Sequence, residues 1–180
     1  MKKVFQKLKK LKEVDISPAP YDESLVVALA KNNPDLRVLR RVNYSSPTDS
    51  SLSNKAIDAL ANSCPALEEI TISSYSSESS ITKLSSSWPN LKRLKLEASP
   101  ACGMYCMDEK LISNVGKFRS LERLIFGGYC VNVTEDGIKR MLGASEKLEH
   151  LSLKGPDVTL DLVDRLRIEF PDIDLMIRNY

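Results

Sequence analysis

Acid–base or nucleophilic chemistry in this 180-residue chain would have to run through one histidine, His150, or through Cys64, Cys102, Cys106 and Cys130. Glu149 precedes His150, but consecutive strand residues point to opposite faces, so the two cannot converge as a base and its orienting partner. His150 therefore reads as a surface residue. Cys102 and Cys106 stand four apart in "CGMYC" with no histidine near them; zinc sites use tighter pairs and a full set of four ligands. Cys64 and Cys130 read as small core residues. Gly127, Gly128 and Gly143 form no phosphate-cradling pattern and mark turns. No metal, no cofactor and no enzymatic activity are expected.

Other reactive features are peripheral. "SSP" at Ser45 to Pro47 suits a proline-directed kinase, and a phosphate there would add local negative charge. Trp88 shares its place before a strand with Cys64, Phe118 and Phe170, which makes it a core residue. The 26 Lys and Arg against 24 Asp and Glu leave a charge of only +2, too little for a global field that gathers nucleic acid or anionic lipid. The basic opening "MKKVFQKLKKLKEVDIS" has no apolar run of signal-peptide length, and no stretch approaches the roughly 18 apolar residues of a membrane span. The acceptor-like triplets at Asn43 and Asn132 then read as chance. Unpaired thiols in a chain of this size suit a reducing compartment, the cytoplasm or nucleus.

The elements that must position any site are written as a repeat. "CPALEEITIS" from Cys64, "WPNLKRLKLE" from Trp88, "FRSLERLIFG" from Phe118 and "SEKLEHLSLK" from Ser145 share Leu-x-x-(Leu/Ile)-x-apolar. Taking the first apolar residue as position zero gives anchors at Leu11, Leu36, Leu67, Leu91, Leu121, Leu148 and Ile173, at spacings of 24 to 31 residues. Positions three and five alternate as a strand with one buried face does. By that count the seventh unit buries Met176 at position three, and Arg41 at position five of the second unit implies a one-residue shift that turns Val42 inward.

The second half of each unit carries helical spacing, opened by residues able to cap free backbone N–H groups: Asp22, Ser53, Asp108, Thr134 and Thr159. The third of these helices, "SSITKLSSS", is expected to be short. Pro34, Pro65, Pro89 and Pro171 stand two residues before an anchor, where each turns the chain into the next strand. One strand–helix unit cannot bury its own apolar face, but stacked units share a core. The expectation is a single α/β solenoid over residues 1–180, of about six units and a terminal strand near 173–177.

In these motifs the chain resembles leucine-rich-repeat proteins, and specifically the cysteine-containing subtype common in F-box proteins. "CPALEEITIS" matches the opening of that repeat; "LERLIFGGYCVNVTEDGIKRML" matches the remainder with one extra residue before Cys130. The resemblance covers nearly the whole chain and implies a right-handed βα horseshoe with a parallel concave sheet and convex helices. It also implies the alternative of a substrate-recognition part, or fragment, of an F-box-type ubiquitin ligase working with adaptor and cullin machinery. No F-box precedes Leu11 in the sequence.

Positions two, four and six of the strands project from the concave face. Glu13, Asp15 and Glu69 lie toward one end; Arg93, Lys95, Arg123, His150 and Lys154 gather toward the other. Arginines on a rigid sheet suit carboxylate or phosphate recognition, and Ile125 among them offers an apolar anchor. The expected function is a monomeric, non-catalytic protein-interaction module that takes a protein or peptide, acidic or phosphorylated, on Glu69, Arg93, Lys95, Arg123, Ile125, His150 and Ser152. Neither membrane nor nucleic acid is an expected partner.

Overall fold

A computed structural model describes residues 7–17, 22–40, 53–73, 78–97, 109–127, 133–155 and 157–177. Strands and helices alternate along them: β1 (Glu13–Asp15), α1 (Glu23–Asn32), β2 (Val38–Arg40), α2 (Asn54–Ser63), β3 (Glu69–Ser73), α3 (Glu78–Ser87), β4 (Arg93–Glu97), α4 (Glu109–Val115), β5 (Arg123–Phe126), α5 (Glu135–Ala144), β6 (His150–Leu153), α6 (Leu160–Glu169) and β7 (Asp174–Ile177). The strands form one parallel seven-stranded sheet in chain order, β1 to β7. The expected strand–helix alternation is present in every described unit, and α3 is as long as α1, where a short helix was expected.

Local chemistry explains where the helices begin. The side chains of Asp22, Ser53, Thr134 and Thr159 accept from the N–H groups of Ser24, Ala56, Gly137 and Leu162, at 2.9, 3.2, 3.0 and 3.2 Å. Each satisfies one donor that a first turn leaves without a partner. Asp108, the fifth expected cap, lies outside the described residues.

The exits are equally regular. The anchor N–H donates back three residues in six successive units: Leu36 to Asn33, Leu67 to Cys64, Leu91 to Trp88, Leu121 to Phe118, Leu148 to Ser145 and Ile173 to Phe170, all at 3.1–3.3 Å. At five successive joints one carbonyl (Lys12, Arg37, Glu68, Lys92 or Glu122) then receives two N–H groups of the next unit, as Glu68 O does from Lys92 and Arg93 at 2.8 and 3.0 Å, while at the last joint Glu149 O receives Asp174 N–H alone. These backbone bonds join neighbouring units whatever side chain stands at the turn.

Between sheet and helices runs a single core. Position three supplies Leu39, Ile70, Leu94, Leu124 and Leu151, and position five Ile72, Leu96, Phe126 and Leu153, all nearly or fully buried. Cys64, Trp88 and Phe118 are buried with them, as their shared register implied. Burial pushes the Cys64 thiol up to about 11, and the thiol faces the carbonyls of Ala30 and Asn33 at 3.6 and 3.5 Å. Asn33 occupies the same place one unit earlier. Its fully buried amide accepts from Leu11 N and donates to Leu29 O and Leu8 O, at 2.8, 2.9 and 3.3 Å, so it fixes the approach to β1 just after Lys10, whose φ of 66° is left-handed.

Two expectations of register are corrected. The second unit is in register through Arg40, which sits opposite Asp15; Arg41 and Val42 lie outside the described residues. The seventh strand starts one residue early, so Asp174 pairs with His150 and Leu175 with Leu151. Leu175 is therefore the buried residue and Met176 is 48% exposed on the concave face. Strand parity makes the two residues exchange faces.

The helices pack side by side from α1 to α5. At α6 the joint is made by ion pairs: Arg165 to Glu135 at 2.8 Å and Lys139 to Glu169 at 2.7 Å.

Candidate binding face on the concave sheet

Parallel pairing puts position two of every strand into one row: Glu13, Val38, Glu69, Arg93, Arg123, His150 and Asp174. Neighbours in such a row are about 4.8 Å apart, so charge alternation along it decides which groups are satisfied internally.

Glu69 is held from both sides. Arg40, at position four of β2, gives Nε to Oε1 at 2.6 Å and Nη2 to Oε2 at 3.0 Å; Arg93 gives Nε to Oε2 at 2.7 Å. Burial pushes the Glu69 carboxyl up, but the bonds from Arg40 and Arg93 outweigh it and hold the group below its ordinary range. Such charge-assisted, partly bidentate pairing fixes orientation as well as charge. The Glu69 side chain is only 16% exposed.

At the other end His150 is 7% exposed, and its Nδ1 lies 2.7 Å from Asp174 Oδ2. The expected surface histidine is thus a nearly buried one that ties β6 to β7. Ser152 is fully buried between Ile125 and Met176 on the neighbouring strands, and its hydroxyl has no hydrogen-bond partner among the described residues. It presents no surface to a ligand.

Between these two internally paired ends stands Arg123. It is exposed, lies beside Arg93 and His150 in the row, and makes no ion pair or side-chain hydrogen bond among the described residues. Two depressions meet at it. One, of about 110 Å³, lies over the strand backbone at Ile70 and Leu94, with Ile125 as its aliphatic side chain and Glu69, Thr71, Arg93, Lys95 and Arg123 around it. The other, of about 310 Å³, is lined by Arg93, Glu122, Arg123, Glu149, His150 and Asp174 at the start of the strands.

Of the residues expected to form the site, the structure brings Arg93, Lys95, Arg123 and Ile125 together on an accessible patch; it clamps Glu69 and buries His150 and Ser152. Sequence reasoning passed over Glu149 and Asp174. Asp174 was hidden by the one-residue register change in β7. Glu149 was set aside because it points away from His150 along the strand, although the groove at the strand entrance is open to both. Cys102, Cys106, Cys130 and Ser45 to Pro47 lie outside the described residues. Among the described residues no group of three His, Cys, Asp or Glu could hold a metal, and no helix is long and apolar enough to cross a membrane.

No family model and no curated protein matches the chain. Among solved structures it is similar to the leucine-rich repeat-containing protein LegL7 from Legionella pneumophila, with a TM-score of 0.51 and 12% sequence identity over 92% of this chain and 54% of that one. The likeness bears on fold alone. The fold is that of a leucine-rich-repeat solenoid, with a parallel sheet on the concave side and helices on the convex side, and the chain spans about half the length of LegL7.

Proposed function

We propose that the chain is a non-catalytic protein-interaction module that takes a protein or peptide segment across its concave sheet, with Arg123 as the group that reads an anion. The observation that carries this reading is the exposed Arg123 guanidinium, left without an internal partner among the described residues in a row where Glu69 takes up Arg40 and Arg93 and Asp174 takes up His150. Two adjacent arginines, Arg93 and Arg123, repel each other; a carboxylate or phosphate from a partner relieves that repulsion and gains bidentate hydrogen bonds. Arg93 and Lys95 flank the contact, and Ile125 in the depression between them supplies a dry anchor. The buried thiol of Cys64 is consistent with a reducing compartment, cytoplasm or nucleus.

A narrower form of the reading makes the module the substrate-recognition part of an F-box-type ubiquitin ligase. Its support is Cys64, which fills the cysteine position of that repeat subtype; the equivalent turns hold Asn33, Trp88, Phe118, Ser145 and Phe170. Co-purification with an F-box adaptor and cullin separates the narrower form from a free-standing module.

Selection of a random peptide display library against the immobilised protein, followed by calorimetry on the selected peptides, tests the general reading. Selected peptides should lose about tenfold or more in affinity for Arg123→Glu, the effect of reversing a partly desolvated charge at an interface. Peptides that bind wild type and Arg123→Glu alike would remove the concave face from the mechanism.

A further inference from the structure

The groove beside Arg123 is not basic. Glu122, Glu149 and Asp174 line it together with Arg93, Arg123 and His150. Asp174 is taken up by His150, and Glu122 lies 3.7 Å from Lys92 Nζ. Glu149, just before the strand next to that of Arg123, is exposed and, among the described residues, makes no ion pair or side-chain hydrogen bond. One groove therefore presents an unsatisfied cation and an unsatisfied anion side by side.

From these charges we infer that the segment gripped on this face is of mixed charge: an apolar side chain in the depression beside Ile125, a carboxylate on Arg123, and a lysine or arginine directed to Glu149 and Asp174. This rests on the proposed function and sharpens its chemistry. A wholly acidic or multiply phosphorylated segment satisfies Arg123 but sets further negative charge against Glu149 and Asp174, and like charges in such proximity are penalised. The arrangement thus selects against polyanions while selecting for a carboxylate.

The spacing is fixed by the sheet. The smaller depression centres on β4, Arg123 is on β5 and Glu149 immediately precedes β6. Two strand spacings are about 9.6 Å. A segment in polyproline II conformation rises about 3.1 Å per residue and presents the same side every third residue, so positions i and i+3 are about 9.3 Å apart on one side. The fit is an apolar residue at i and a basic one at i+3, with the acidic residue at i+1 or i+2. The groove volume, about 310 Å³, falls at the small end of ligand pockets, which run to about 1,000 Å³, as suits a single long side chain.

The experiment selects the same peptide library on wild type, on Glu149→Lys and on the double swap Arg123→Glu with Glu149→Lys, and measures the winners by calorimetry. Both residues are exposed and, among the described residues, unpaired, so the variants should unfold at wild-type temperature, which a thermal melt verifies. Wild type should enrich an acidic and a basic residue beside an apolar one; those peptides should bind Glu149→Lys about tenfold more weakly; and the double swap should enrich the two charges in reversed order. Wild-type winners that are purely acidic, and that bind Glu149→Lys as tightly or more tightly, would overturn the mixed-charge inference while the anion-reading role of Arg123 stands. Winners indifferent to Arg123→Glu, or no winners from the library, would overturn both.

Discussion

The Arg40 guanidinium grips the Glu69 carboxylate through two parallel hydrogen bonds, of 2.6 and 3.0 Å, from the neighbouring strand. The contact lies on the face that meets the ligand, yet it is an internal brace, because the same carboxylate also orients Arg93.

Replacing Glu69 by Gln should lower stability at neutral pH by about 1–2 kcal/mol, the value of charge-assisted hydrogen bonds discounted for the partly exposed arginines. The Glu69 pKa is lowered in the native state, so its stabilisation is present above the ordinary value of 4.5 and is lost as pH falls through the lowered native value. Urea titrations at pH 7 and pH 3 check this. The gap between wild type and Glu69→Gln should be wide at pH 7 and narrow at pH 3.

Arg93 and Arg123 should behave differently when reversed. Arg93→Glu breaks the bond to Glu69 and places two carboxylates opposite each other, so it should lower the melting temperature by several degrees, about 2–4 °C per kcal/mol for a chain of this size. Arg123→Glu severs no ion pair or side-chain hydrogen bond among the described residues and should melt as wild type does. Differential scanning fluorimetry on the two single variants decides, and equal losses would mean that Arg123 has a structural role.

Much of this was legible beforehand, and the limits are physical. Period and parity are properties of the chain, so the alternation at Ile70 and Ile72, or Leu94 and Leu96, announced strands and their buried face directly. Which surface charges are satisfied is a property of the row across strands. Arg93 and Arg123 look alike in the sequence; only the register that sets Glu69 beside one and His150 beside the other separates them. One residue fewer between the last turn and β7 was enough to hide Asp174 and to exchange Leu175 for Met176. His150 and Ser152 have a surface parity and polar side chains, so only the packing around them could show that they are buried.

Cys64 supplies a test at alkaline pH. Its pKa is raised by burial from 9.0 to about 11, so the stabilisation that goes with the neutral thiol is complete below pH 9 and is lost as pH rises through about 11. Wild type should lose more stability than Cys64→Ser between those values, by about 2 kcal/mol for a shift of this size. Peptide-resolved alkylation should show Cys64 protected at pH 8 in the native protein and labelled once the protein is unfolded.

Two glycines should respond in opposite directions. A Cβ on Gly116 would stand 3.2 Å from the Ala144 Cβ, where α4 meets α5, whereas at Gly143 nothing lies within 4 Å. Gly116→Val should therefore force the helices apart and destabilise by about 1–3 kcal/mol. Gly143→Ala, inside α5, should stabilise by about 0.4–1 kcal/mol. Denaturant midpoints measured at constant slope check both.

The turns before β2 to β7 close with the same backbone bond at six positions that carry five residue types: Asn33, Cys64, Trp88, Phe118, Ser145 and Phe170. A joint that ignores side-chain identity makes length an independent variable of the design. Excising residues 92–121 would bring Leu91 directly before Glu122 and seat β5 beside β3, with Ile70 opposite Leu124 in a pairing every interior strand already uses. Such a gene is expected to lengthen or shorten by whole periods without reworking the rest, and each gain or loss would move a different set of charges into the row next to Arg123.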